Sequence, residues 1–181
     1  MIGWAHPVLI NLLRYQSVSL FIDGTFRCVP RHFQQCVIVM VSDRASGLFV
    51  PVFYVLCTDR TADTYWDVVD FVYHPTHQQL DPESIVCDFE QGLIDAVATQ
   101  FPQSRIVGCL FHLKQALRRK MLALHIPRLE ISIAMRHGVI DTLTVLAYDK
   151  ISQGITWVQA EIIRLCGLES VVVSAAKWLR F

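Results

Sequence analysis

Apolar positions come in short, strand-length runs through about Cys109, each closed by a polar or turn-forming cluster, and beyond Pro127 they recur at helical spacing. Val18-Ser19-Leu20-Phe21-Ile22 predicts a strand that ends on Asp23, where Gly24-Thr25 permits a sharp change of backbone direction. Gln35 to Val41 is rich in β-branched residues, and Ser42 to Gly47 has the composition of a hairpin turn. Leu48 to Cys57 predicts the return strand, in which Pro51 argues for a sheet edge. Thr61 or Asp63 opens a helix reaching about Tyr73, with Tyr65, Val68, Val69 and Val72 along one face. Ile85 to Asp88 predicts another strand, and Glu90 to Gln100 a helix stopped by Phe101-Pro102. Arg105 to Cys109 follows as a short strand, then Phe111 to about Leu124 as a third helix. Residues 1–15, with Pro7 ahead of Val8, Leu9, Leu12 and Leu13, predict a helix.

This order starts with three antiparallel strands and continues with strands delivered by helical crossovers, which run parallel to the first. The expected fold class is α/β, a mixed five-stranded sheet flanked by helices. After Pro127 the segments Ile131 to Val145, Trp157 to Cys166 and Ser174 to Phe181 predict helices, with Ser170 to Val173 as a doubtful strand. Three parts follow: a helical lead-in at 1–16 from a missing upstream region, an α/β core at 17–125, and an all-helical segment at 126–181.

Composition narrows the class. With 53% hydrophobic and 18% charged residues, 181 residues build a substantial core and leave little room for disorder. The formal net charge is zero, which argues against strong independent nucleic-acid binding, because phosphate contacts call for a basic excess. The six cysteines are irregularly spaced and mostly lie in apolar runs, as small buried hydrophobes do, so a reducing compartment is expected. No run approaches the roughly 18–20 apolar residues of a membrane span, and the N-terminus lacks a basic leader. A soluble, intracellular protein is expected.

Candidate chemistry lies where two strands end in a carboxylate. Adjacent strands lie about 4.8 Å apart, so a strand ending at Asp23 beside a parallel strand ending at Asp88 brings the two carboxylates within range of one shared cation. Like charges so close repel, and a hard divalent ion with oxygen ligands removes the penalty. Two such metals activate a water or hydroxyl and stabilise the leaving oxygen in phosphodiester cleavage. The plainer alternative is that Asp23 opens the Gly24 turn and Asp88 caps the next helix. Cys109-x-x-His112 is half a zinc site and needs two more ligands; neither His74/His77 nor Cys28/His32 has a convincing spacing, so no zinc is expected.

Phe21-Ile-Asp-Gly-Thr-Phe, Val50-Pro-Val-Phe, Tyr65, Cys87-Asp-Phe-Glu, Phe101-Pro and Gly108-Cys-Leu-Phe-His-Leu-Lys-Gln together resemble the transposase domain of Mutator-like elements, the MULE family. The resemblance covers roughly Val18 to Met121. It implies a ribonuclease-H-like fold and DDE chemistry, in which metal-dependent nicking at element ends is followed by strand transfer into target DNA. By motif, Asp23 is the first acid and Asp88 the second, both metal ligands for Mg²⁺ or Mn²⁺. Cys109 and His112 match a signature that follows the second Asp and are expected beside the active site. The third acid of the family is a Glu beyond an all-helical insertion. Here the chain reaches Phe181 still inside that insertion, so the triad and the two-metal site are expected to be incomplete. Glu130, Glu161 and Glu169 read as solvated helix or loop residues.

Arg27, Arg31, Arg118, Arg119 and Lys120 are candidate contacts to DNA backbone, a solvated face being the commoner reason for such a run. Trp66, Trp157 and Trp178 fall on helical stripes and read as core or interface. The function expected is that of a MULE-type DNA transposase fragment, weak or inactive alone, nuclear, and homo-oligomeric when full length. The alternative is a non-enzymatic DNA- or protein-interaction domain that keeps the fold and not the chemistry.

Overall fold

Six strands, where five were expected, make up the sheet in the computed structural model, which describes residues 1–168 and 175–178. Glu169, the doubtful strand Ser170 to Val173, and the ends of the expected last helix lie outside the described residues. The chain divides into two compact units, Met1–Cys109 and Leu110–Phe181.

The first unit holds the sheet. Its elements are β1 (Ile2–Ala5), α1 (Pro7–Ile10), β2 (Val18–Thr25), β3 (Gln35–Asp43), β4 (Leu48–Cys57), α2 (Ala62–Tyr73), β5 (Pro82–Cys87), α3 (Gln91–Gln100) and β6 (Arg105–Gly108). The strand order is β1-β4-β3-β2-β5-β6. β1, β4, β3 and β2 pair antiparallel in turn, whereas β5 and β6 are parallel additions beside β2.

Alternation decides the faces. In β2, Val18, Leu20 and Ile22 enter the core while Ser19, Phe21 and Asp23 take the opposite pleat. Val37, Val39 and Val41 of β3 and Phe53 and Val55 of β4 join that core, covered by Val68, Val69 and Val72 of α2 and Leu93 and Val97 of α3. Each such side chain, fully buried, contributes about 1.5–3 kcal/mol relative to exposure. α2 starts where the sequence predicts: Thr61 is its N-cap, its hydroxyl accepting the Thr64 N–H at 3.3 Å. The two helices lie close because Gly92 has no side chain; a Cβ there would stand 3.2 Å from the Ala62 Cα.

The lead-in departs from expectation. Ile2–Ala5 is a strand, pairing from Ile2↔Leu56 to Ala5↔Phe53, and Trp4 stacks on Tyr54 at 5.7 Å. Helix begins only at Pro7 and passes into a 3-10 turn at Asn11–Arg14. The helical spacing of Val8 to Leu13 is real, but it does not extend back through Gly3. With β1 in place, β4 is not the sheet's edge. Pro51 is tolerated because β1 reaches only as far as Phe53, so the strand is still unpartnered on that side at Pro51, next to a register shift at Val39/Met40.

The second unit contains α4 (Leu110–Ala123), α5 (Arg128–Ala134), α6 (Ile151–Leu168) and α7 (Ala175–Trp178). Its core gathers Met121, Ile131, Ile133, Ile140, Val158, Ile162 and Trp178. The helix expected over Ile131 to Val145 breaks after Ala134. Gly138 takes φ +80°, and the N–H groups of Gly138 and Val139 donate to Asp141 Oδ1 at 2.9 and 3.1 Å, starting a 3-10 stretch at Ile140–Val145. Glu130, read as solvated, is fully buried, and its Oε2 accepts the Trp178 indole N–H at 2.6 Å. Trp178 is core, whereas Trp66 and Trp157 leave nearly half of their surface exposed. No helix among the described residues is long and apolar enough to cross a membrane.

Candidate functional site

The parallel pairing of β2 with β5 runs through Leu20↔Ile85 and Phe21↔Val86 to Ile22↔Cys87. Asp23 follows Ile22 within β2 and Asp88 follows Cys87 just past the end of β5, so the two acids come one residue beyond the last paired position of neighbouring strands. Asp23 is exposed and Asp88 half-buried. The plainer role of Asp88 is also realised in part: its Oδ1 accepts the Glu90 N–H at 3.0 Å, closing the turn that leads into α3. Two accessible hard oxygen donors at one level fit a divalent cation such as Mg²⁺, which takes one or two carboxylates and completes its shell with water and phosphate. Among the described residues, no three His, Cys, Asp or Glu side chains gather in a metal-binding cluster.

Cys87 and Cys109 sit beside this rim. The Cys109 N–H donates to the Cys87 carbonyl at 2.8 Å, which fixes the end of β6 against β5. The Cys87 thiol is pushed up to about 11 by burial, with the Asp88 charge and Cys109 adding to it, so it stays protonated at neutral pH. It is a packed thiol, not a soft ligand. Gly108 admits the Phe89 ring; a Cβ at 108 would lie 2.6 Å from two of its carbons.

The remaining predicted residues separate by unit. Arg27 and Arg31 are exposed in the loop between β2 and β3, downstream of Asp23. Cys109 is half-buried at the end of the first unit, and His112 is half-buried in the first turn of α4 in the second. Arg118, Arg119 and Lys120 are exposed on α4, as predicted. Of the acids considered for a third position, Glu161 forms a two-pronged ion pair with Arg164 at 2.6 and 2.7 Å, and Glu130 is the buried partner of Trp178.

Sequence reasoning missed a polar network next to the rim. Gln35, at the head of β3, is fully buried; its Nε2 donates to the Asp59 carbonyl at 3.2 Å, and its Oε1 lies 3.2 Å from the Tyr65 hydroxyl. The same hydroxyl hydrogen-bonds Glu90 Oε2, and Glu90 Oε1 pairs with the Arg60 guanidinium. Arg60 lies over the Phe26 ring, 4.5 Å from its centroid. The one sequence cue was a glutamine directly preceding an apolar run, which reads equally well as the end of a loop.

Residues 19–116 match the family described as the MULE transposase domain. A Drosophila P element transposase strand transfer complex is similar with a TM-score of 0.42 and 14% identity, over 94% of this chain and 50% of that one. The chain therefore spans half the length of that solved structure. No curated protein matches it.

Proposed function

Since the chain belongs to the MULE transposase domain family, we propose that its Asp23–Asp88 rim is the metal-binding part of a DNA strand-cleavage and strand-transfer site. The observation that supports this reading is the parallel β2–β5 register, whose last pair, Ile22↔Cys87, immediately precedes the two acids. Asp23 and Asp88 would hold Mg²⁺ or Mn²⁺, and a metal held there supplies activation of the attacking oxygen and stabilisation of the leaving one. The chain's own work is to hold two like charges together at an accessible edge. Arg27 and Arg31, exposed on the loop after Asp23, offer charge to a DNA backbone, and Arg118, Arg119 and Lys120 do so from α4. The fold we assign is ribonuclease-H-like, supported by an antiparallel β2-β3-β4 meander followed by parallel β5 and β6. The compartment we assign is the nucleus, where the DNA substrate resides.

The alternative keeps the fold and gives up efficient cleavage. On that reading the chain alone binds metal and DNA without efficient cleavage, or serves only as an interaction domain. Nicking of supercoiled plasmid with Mn²⁺, run beside Mn²⁺ binding followed by electron paramagnetic resonance, separates these. Asp88→Asn is expected to weaken Mn²⁺ binding by at least about 10-fold and to abolish any nicking. Mn²⁺ binding by Asp88→Asn equal to that of the unaltered chain would sink the metal-site reading.

A further inference from the structure

The buried network beside the rim is physically expensive unless it is complete. Gln35 and Tyr65 are 0% and 3% exposed, and a buried amide or hydroxyl without a partner is costly. A leucine at 35 would fill the space without that risk. Here the Tyr65 hydroxyl, with one proton, stands between two acceptors, Glu90 Oε2 and Gln35 Oε1, and the contacts join segments far apart in sequence: the loop after β2, the head of β3, the β4–α2 loop, α2, and the turn after Asp88.

Both ends of the network stop next to the two carboxylates. At one end, Glu90 has its Oε2 on Tyr65 and its Oε1 on Arg60, while its N–H is donated to Asp88 Oδ1. The rotamer of Asp88 is therefore set by a residue that is itself held from two sides. At the other end, Arg60 lies on Phe26, three residues past Asp23, and Gln35 lies against Gly24, where a Cβ would stand 3.1 Å from its Oε1. Members of the network thus contact the residues that directly follow each acid: Gly24 and Phe26 after Asp23, and Glu90 after Asp88.

We propose that Gln35, Arg60, Tyr65 and Glu90 form a clamp that holds Asp23 and Asp88 at a fixed separation, which makes them positioning residues of the metal site. The inference rests on the metal reading of the pair. Its physical basis is that two carboxylates side by side repel and move apart unless their backbones are fixed. A bound cation demands ligands already in place to within about 0.5 Å. Tyr65 and Glu90 act through Asp88 and are not themselves ligands.

The test is Mn²⁺ binding by the whole chain, read as affinity and as the electron paramagnetic resonance line shape, which reports the symmetry of the ligand set. Tyr65→Phe removes one hydroxyl and no candidate ligand; it is expected to weaken Mn²⁺ binding about 10-fold and to broaden the spectrum. Arg60→Met, at a side chain 43% exposed and so independent of core packing, is expected to act in the same direction. Phe53→Leu, a core change outside the network, controls for lost stability and is expected to leave affinity within about 2-fold, well inside the 10-fold outer-shell effect. Affinity and line shape unchanged in both Tyr65→Phe and Arg60→Met, while Asp88→Asn loses binding, would overturn the clamp and leave the metal site standing. Unchanged binding in Asp88→Asn would overturn the metal site and the clamp with it.

Discussion

Gly3→Ala distinguishes two structures of the N-terminus by the sign of its effect. In an exposed helix, as the spacing of Val8 to Leu13 predicts, replacing Gly3 by alanine gains about 0.8–1.0 kcal/mol, because glycine loses more backbone freedom. In β1 the same methyl meets the Phe71 ring, 2.8 Å from Cζ and closer still to Cε1. Phe71 cannot yield cheaply, since it packs edge-on against the buried Phe53 at 5.9 Å. Overpacking of this kind costs about 1–3 kcal/mol. Urea unfolding followed by circular dichroism reads the difference. For a slope of about 2 kcal/mol per molar, a loss of about 2 kcal/mol lowers the midpoint by about 1 M. A midpoint equal to or above that of the unaltered protein would refute β1 as the sixth strand.

Two further outcomes follow from local electrostatics. Asp59 is held down at about 2 from its ordinary 3.8, first by the Thr64 hydroxyl and then by the hydroxyl and N–H of Thr61. Its folded value is depressed, so its contribution to stability is present above the ordinary value and is lost as pH falls from about 4 towards 2. Asp59→Asn is therefore expected to flatten the acid limb of a stability–pH curve in that window, and an unchanged limb would count against it. Burial is the main reason that the Cys57 and Cys87 thiols are pushed up to about 11, whereas Cys28 is exposed. A thiol-reactive disulfide reagent at pH 8 should give a fast phase on the native protein that Cys28→Ser removes, with Cys57 and Cys87 reacting only after denaturation. A fast phase that persists in Cys28→Ser would contradict this assignment.

What could be read from the sequence was what neighbouring residues decide. α2 was legible because Thr61 supplies a cap and Tyr65, Val68, Val69 and Val72 repeat at helical spacing, all within one short window. The parallel pairing of β2 with β5 was legible for a topological reason: a strand delivered by a helical crossover runs parallel to its predecessors. β1 was not, because four residues carry too little periodicity and their partner strand lies some fifty residues on. Glu130 was misread for the same kind of reason. An acid on a short helix looks solvated until Trp178, 48 residues later, donates its indole N–H to it.

The network of Gln35, Tyr65 and Glu90 shows why the site is harder to read than the fold. A hydrophobic core announces itself by pattern, since many residues can fill the same space and only period and volume matter. A buried polar cluster has no period: its members come from wherever the chain happens to converge, and each is tolerated only because the others are present. Tyr65 was assigned to the core by its spacing, correctly as to burial, but spacing says nothing of a hydroxyl that must find Gln35 and Glu90. Replacing such a cluster by apolar groups of similar shape is often neutral or stabilising. Stability alone therefore does not require it, and its place against Gly24, Phe26 and Glu90, directly after the two acids, is the reason we propose that it positions them.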